Sequence, residues 1–260
     1  MLFGPALKYY LFSRPHPCRE NEDPFVRSLL EVMHDRTNHA DYRTMAAARR
    51  QYLAGREKIL LHDPGAGHHG RKKKEYRRRI SSIARHSSGN PKYHRLLCRL
   101  ARHFNPSVIL ETGTALGLGT LALTLGAPHA RVCTIEGDPA LSARARQLFE
   151  KYSLRNITLV EGTFEEKLPE VLARERRIDM AFLDGHHEEE ATLRYFGMLL
   201  PRLHAGSLVV VDDIHWSRGM QKAWEQICRY EQVSLKINLF RMGILFFDPS
   251  LPKRTLVVRY

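Results

Sequence analysis

Cysteine is sparse, with 4 in 260 residues, and Cys18, Cys98, Cys133 and Cys228 form no C-x-x-C pair. That excludes a disulfide scaffold and a cysteine-based zinc motif, and it predicts reduced thiols in a cytoplasmic protein. No stretch approaches the ~18 apolar residues a transmembrane helix needs, so no membrane span is expected. The opening M-L-F-G-P-A-L-K-Y-Y-L-F lacks a basic leader and a small-residue cleavage site, and reads as an ordered segment, not a signal peptide. Internal repeats and low-complexity tracts are missing too. Acidic charge is short in one half only. Residues 1 to 107 hold 22 lysines and arginines against 9 acids, whereas residues 108 to 260 hold 19 of each. The whole net charge of +13 therefore sits in the leading part. This step predicts a basic helical N-terminal cap over 1–104 and a second domain over 105–260. Hydrophobic content of 43% and charged content of 27% fit a soluble chain with one α/β core.

In the cap, Phe25, Leu29, Leu30 and Met33 have helical spacing after Pro24, and residues 40 to 53 read as a second helix. Asp63-Pro-Gly-Ala-Gly-His-His-Gly breaks regular structure, and its glycines suggest a hinge. The run Arg71 to Arg79, continued by Ile80, Ile83 and Ala84, is expected to be a basic helix. Tyr93 to Phe104 reads as an amphipathic helix. Strands and helices then alternate: strands at 131–136, 156–160, 178–184 and 207–213, and helices at 139–152, 164–174, 188–203 and 219–230. Two closing strands, 233–240 and 243–247, have only Arg241-Met242 between them, too short for a parallel crossover, and must be antiparallel.

The alternation starts at Val108 to Thr120, V-I-L-E-T-G-T-A-L-G-L-G-T. A short apolar run, a turn with Gly113, Gly117 and Gly119, and then helical spacing make the opening of a nucleotide-binding βα unit. The spacing is G-x-x-x-G-x-G, not the dinucleotide G-x-G-x-x-G. Downstream come T-I-E136-G-D-P, F-L-D184-G-H-H187 and V-V-V-D212-D213-I-H215-W. In this order they resemble class I S-adenosylmethionine-dependent methyltransferases of the bacterial small-molecule O-methyltransferase-like group. D-P-F-V near 23, D-P-G-A-G near 63 and K-Y-H-R-L-L near 92 resemble the leader of such chains. The resemblance implies a Rossmann-like, seven-stranded, mostly parallel sheet with an antiparallel last strand. It also implies methyl transfer to a hydroxyl of a small molecule or sugar.

Glu136 ends a strand 23 residues after Gly113, where a carboxylate can accept from both ribose hydroxyls; a solvated strand-end acid is the plainer reading. By the resemblance, S-adenosylmethionine would be held by Glu111, Gly113, Thr114, Gly117, Gly119, Thr120, Glu136, Gly162, Thr163, Phe164 and Asp184, with its methyl pointing toward Asp184. Gly162-Thr163-Phe164 reads equally as a turn with a core Phe. Three carboxylates converging on one crevice repel unless a cation or proton joins them, and hard oxygens suit Mg²⁺. The resemblance makes Asp184, Asp212 and Asp213 candidate metal ligands; caps on the following turn are the alternative. Asp184, His187 and His215 are the catalytic candidates, with His187 favoured as general base and His215 second. Trp216 would stack on substrate or cover the sheet end.

The basic run invites an anionic acceptor or RNA, but an ordinary solvated face also accounts for it. An RNA methyltransferase and a catalytically silent nucleotide-binding module stay open as alternatives. No N-P-P-Y-type signature of the amino-methyltransferases is present.

Overall fold

The computed structural model describes residues 9, 13, 23–63, 74–86 and 89–260. They divide into two compact units, Thr37–Arg174 and Met1–Arg36 with Glu175–Tyr260. The central sheet has eight strands, mixed but mostly parallel.

The Thr37–Arg174 unit contains α1 (Ala40–Ala54), β1 (Lys58–Asp63), β2 (Lys74–Arg79), α2 (Ile80–His86) and α3 (Pro91–Phe104). It continues with β3 (Val108–Thr112), α4 (Leu118–Gly126), β4 (Arg131–Glu136), α5 (Pro139–Lys151), β5 (Ile157–Glu161) and α6 (Phe164–Arg174). Ile109, Leu110, Glu111 and Thr112 of β3 are buried on both faces, as a strand inside a parallel sheet requires. β3 pairs parallel with β4, and β4 with β5. Two of the helices open on an Asx-Pro step that satisfies free N–H groups and presets φ. Asn90 accepts from the Lys92 N–H before Pro91, and Asp138 from those of Ala140 and Leu141 before Pro139. α3 ends at Asn105, left-handed at φ 44°.

The other unit holds α7 (Pro24–His34), β6 (Met180–Leu183), α8 (Glu189–Leu199), β7 (Leu208–Val211), α9 (Arg218–Ile227), β8 (Lys236–Asn238), β9 (Gly243–Phe246) and β10 (Thr255–Val257). Asp23-Pro24 opens α7 with the same Asx-Pro cap, and Val26, Leu29, Leu30 and Met33 are its buried face. β6 and β7 run parallel and are fully buried. β9 is antiparallel to both β7 and β8, while β10 runs parallel to β8. An ideal Cβ on Gly243 would lie 2.2 Å from Trp224 Cζ3, so the indole of α9 sits where any other side chain would begin.

Two expectations need refinement. The sheet has eight strands, because the short β10 adds one beside β8, while the closing pair β8–β9 is antiparallel as expected. Residues 74–79 are not helical: β2 pairs antiparallel with β1, from Lys58 opposite Arg79 to Asp63 opposite Lys74. In β1, buried Ile59 and Leu61 alternate with exposed Lys58, Leu60 and His62, which is a strand's period. Helical spacing begins only at Ile80, where Ile80, Ile83 and Ala84 are buried in α2. Residues 71–73 and the expected hinge at Gly65, Gly67 and Gly70 lie outside the described residues, as does Cys18; Cys98, Cys133 and Cys228 are not joined in disulfides. No helix among the described residues is long and apolar enough to cross a membrane.

Candidate active site

In the Thr37–Arg174 unit, β3 delivers the chain into a turn stitched onto β4. The N–H groups of Gly113 and Thr114 both donate to the Ile135 carbonyl, and Gly117 N–H donates back to Thr114. Gly113 and Gly117 have φ of 92° and 78°, conformations a side chain disfavours, and Gly117 forms the N-cap of α4. Ala115 adopts φ 48° without being glycine, and its N–H is thereby turned onto Glu136 Oε2 at 2.7 Å. Glu136 Oε1 accepts from the Asp138 N–H at 2.9 Å. Each carboxylate oxygen keeps a second lone pair, the acceptor capacity a pair of hydroxyls would use. Burial raises the Glu136 pKa, against the pull of these N–H donors.

Glu111 is fully buried. Its Oε2 accepts from Thr120 Oγ1 at 2.5 Å and Thr134 Oγ1 at 2.7 Å. Thr134 has one hydroxyl proton, so the 2.6 Å contact with Thr114 is Thr114 donating to it. Glu111 Oε1 is buried without a hydrogen-bond partner among the described residues. Burial pushes the Glu111 pKa up to about 7, the two threonines only partly opposing it. Gly119 lies in the first turn of α4. After β5, Gly162 has φ 138°, Thr163 Oγ1 accepts from the Glu166 N–H, and Phe164 is core.

In the second unit, β6 ends at Asp184 and β7 at Asp212 and Asp213. His187 Nε2 lies 3.6 Å from Asp184 Oδ1 and 3.7 Å from Asp213 Oδ2. Asp212 is 1% exposed, and both its oxygens face one guanidinium: Arg241 Nε at 3.3 Å and Nη2 at 3.2 Å. Arg241 Nε also lies 3.4 Å from Asp213 Oδ1. Burial, then repulsion from Asp212, raises the Asp213 pKa; Arg241 and His187 oppose this. Burial works against the Arg241 charge, yet Asp212, Asp213 and Asp184 outweigh it and hold its pKa above the ordinary value. Asp213 and Phe240 both have positive φ, at 53° and 68°, so the backbone on both sides of this ion pair is held in a sparsely populated conformation.

His215 is differently placed. Asn238 Oδ1 accepts from the Phe240 N–H, which leaves Asn238 Nδ2 to donate to His215 Nε2 at 3.2 Å. That assignment puts the imidazole proton on Nδ1, which is buried without a partner among the described residues. The ring stacks on Phe240, and burial lowers its pKa, so it stays neutral. His186 Nδ1 bonds the Tyr195 hydroxyl at 2.6 Å, and Trp216 is 67% exposed.

No group of three or more His, Cys, Asp or Glu among the described residues has the arrangement of a metal centre. Of the expected metal ligands, Asp212 and Asp213 face Arg241, and Asp184 faces His187. Sequence reading passed over Arg241, and with it Asn238, Ala115 and Thr134. The available signal was the pair Asp212-Asp213 at a buried strand end, which needs a counter-charge.

The architecture is that of the Rossmann-like methyltransferases. A 17% identical S-adenosylhomocysteine-bound methyltransferase of Podospora anserina, PaMTH1, superposes with a TM-score of 0.60, covering 89% of this chain and 98% of its own. A Bacillus cereus O-methyltransferase, also bound to S-adenosylhomocysteine, is 16% identical with a TM-score of 0.55, covering 84% of this chain and 95% of its own. Residues 110–214 match a family described as a methyltransferase domain. A protein of Mycobacterium tuberculosis named as a probable O-methyltransferase, Rv1703c, is 33% identical over 128 residues, 46% of this chain and 54% of its own. The catechol O-methyltransferase of the same organism is 29% identical over 122 residues, again 46% and 54%. The chain spans about half the length of the curated relatives it matches.

Proposed function

We propose that this chain transfers a methyl group from S-adenosylmethionine to a hydroxyl of a small molecule or sugar. The observation that carries the reading is His187 set against two carboxylates, Asp184 and Asp213, within the stretch matched by the methyltransferase-domain family. The O-methyltransferases among its relatives support the same chemistry.

The turn Gly113–Gly119 and the N-terminus of α4 suit the cofactor, with Glu136 accepting from the ribose hydroxyls. When bound, S-adenosylmethionine supplies an electrophilic methyl on a sulfonium, whose sulfur leaves as a neutral thioether. With its Nε2–H turned toward Asp184 and Asp213, His187 takes the proton of the acceptor hydroxyl at Nδ1 as the new O–C bond forms. The carboxylates of Asp184 and Asp213 orient the ring and stabilise the imidazolium that results. His215 is the weaker candidate, because its Nε2 already accepts from Asn238. Arg241 offsets part of the acidic charge that a divalent ion would otherwise share.

RNA as acceptor is a second reading, favoured by one feature. Lys58 lies directly opposite Arg79 in the β1–β2 pair, next to Arg77, and all three are exposed.

Calorimetry with S-adenosylhomocysteine and NAD tests the cofactor, and methyl-³H transfer over extract fractions tests the reaction. Glu136→Ala should weaken S-adenosylhomocysteine binding by about 1.5–3 kcal/mol, the worth of hydrogen bonds to a charged group. His187→Ala should cost roughly 10²–10⁴ in kcat/KM with that binding unchanged, and His215→Ala much less. Tight NAD binding without S-adenosylhomocysteine affinity, or full activity in His187→Ala, would end the proposal.

A further inference from the structure

We infer that Arg241 is the resident cation of the Asp184–Asp212–Asp213 cluster, filling the electrostatic role of a divalent metal so that the site neither needs nor binds one. The inference deepens the proposed reaction and rests on it for its catalytic meaning, but the cation exchange itself is a property of the fold.

Three observations carry it. Five of the six carboxylate oxygens a metal could use already face a nitrogen: both of Asp212 the guanidinium fork, Asp213 Oδ1 Arg241 Nε, and Asp213 Oδ2 and Asp184 Oδ1 the His187 Nε2. A small hard ion demands several oxygens at ~2.1 Å in near-octahedral array, whereas here acids and bases face each other at ion-pair distance. Any divalent ion entering would also meet a fixed positive charge.

Arg241 is built in, not draped over the surface. It lies in the tight connection between β8 and β9, where Leu239 N–H donates to the Met242 carbonyl and Arg241 N–H to that of Leu239. Its own carbonyl accepts from the Ile214 N–H at 3.0 Å, so the residue after the acid pair is tied to the residue that balances it. The left-handed Phe240 directs the chain into this position, with Tyr9 and His215 against its ring. A planar fork suits a carboxylate better than a point charge, which is why Arg and Lys are not equivalent here.

For the reaction, Arg241 acts as a positioning residue. It ties Asp212 and Asp213 in place, and Asp213 is one of the two carboxylates that face His187. A metal would lower the pKa of the acceptor hydroxyl directly; this arrangement leaves that task to His187 as base.

The test is a Mn²⁺ titration followed by electron paramagnetic resonance on the full chain, without substrate or cofactor. The wild-type protein should leave the Mn²⁺ signal free. Arg241→Gln, which removes the charge and leaves three acids, should create a site and tighten Mn²⁺ binding by roughly tenfold or more, since ligand charge sets affinity. Arg241→Lys should leave the signal free like the wild type while lowering kcat more than it changes KM. Stoichiometric Mn²⁺ binding by the wild type that is abolished in Asp212→Asn would overturn the inference, as would an Arg241→Gln variant that folds and still ignores Mn²⁺. If Arg241→Gln does not fold, the wild-type and Arg241→Lys titrations decide alone. Chelator-treated wild type should keep its methyl transfer. A protein that ignores Mn²⁺ and also fails to bind S-adenosylhomocysteine would refute the methyltransferase reading and leave the cation assignment intact.

Discussion

The protein buries carboxylates in two places and handles them in opposite ways. Below the glycine turn, Glu111 is surrounded by hydroxyls and has no cation, so burial lifts its pKa to about 7. At the end of β7, Asp212 is just as buried, yet a guanidinium holds both its oxygens. Neutral donors satisfy geometry but offset only part of the desolvation of a charge. A fixed counter-charge offsets more, and Arg241 opposes the burial and repulsion that raise the Asp213 pKa. The first site can tolerate a proton at neutral pH, whereas the second is organised around a guanidinium.

The largest effect should come from removing the counter-charge. Arg241→Gln leaves Asp212 buried and uncompensated, and should cost about 3 kcal/mol in urea unfolding at neutral pH, with part of the loss recovered at pH 4 as the acids protonate. A loss below half a kcal/mol would mean that solvent already does the guanidinium's work.

Next comes the pH response of Glu111. Its folded pKa of about 7 stands above the ordinary 4.5, so between these values the unfolded chain loses a proton that the folded chain keeps. Stability should fall as pH rises through that window, by about 3 kcal/mol in total, and level off above it. Glu111→Gln should flatten this slope in unfolding experiments at pH 5 and pH 8. An unchanged slope would show that the proton is lost elsewhere.

The smallest effect sharpens the contrast. Thr134→Val deletes one neutral donor to Glu111 and should cost about 1–2 kcal/mol, less than the loss of Arg241. The same variant should shift the Glu111-linked pH dependence further toward alkaline, because the carboxylate loses a donor that favoured its charged form.

Much of this could be read beforehand. The βα alternation from Val108 to Ile227 was legible because each strand is an apolar run ending in an acid or glycine and each helix has its own period. The β1–β2 pair was not, since exposed Leu60 interrupts the alternation of Ile59 and Leu61, and the charges of Lys74 to Arg79 carry no apolar period at all. β10 is three residues long, too short to announce itself. Of the candidate site, the positions of the acids and of His187 followed from strand ends. Arg241 did not, because a side chain in a turn is aimed by long-range pairing of β7 with β9, which local spacing does not encode. The tautomer of His215 is likewise set by Asn238, which is distant in sequence.

The glycine at the start of β9 gives the molecule a built-in optical reporter. Only 2 tryptophans are present; Trp216 is 67% exposed and Trp224 is 5% exposed, its ring filling the space beside Gly243 just beyond the Arg241 turn. With Trp216 replaced by Phe, the remaining emission would come from a single indole in an apolar environment against the strand that follows that turn. Any displacement of the turn, by acceptor, by pH or by a substituted cation, would then be visible as a red shift, with no label attached.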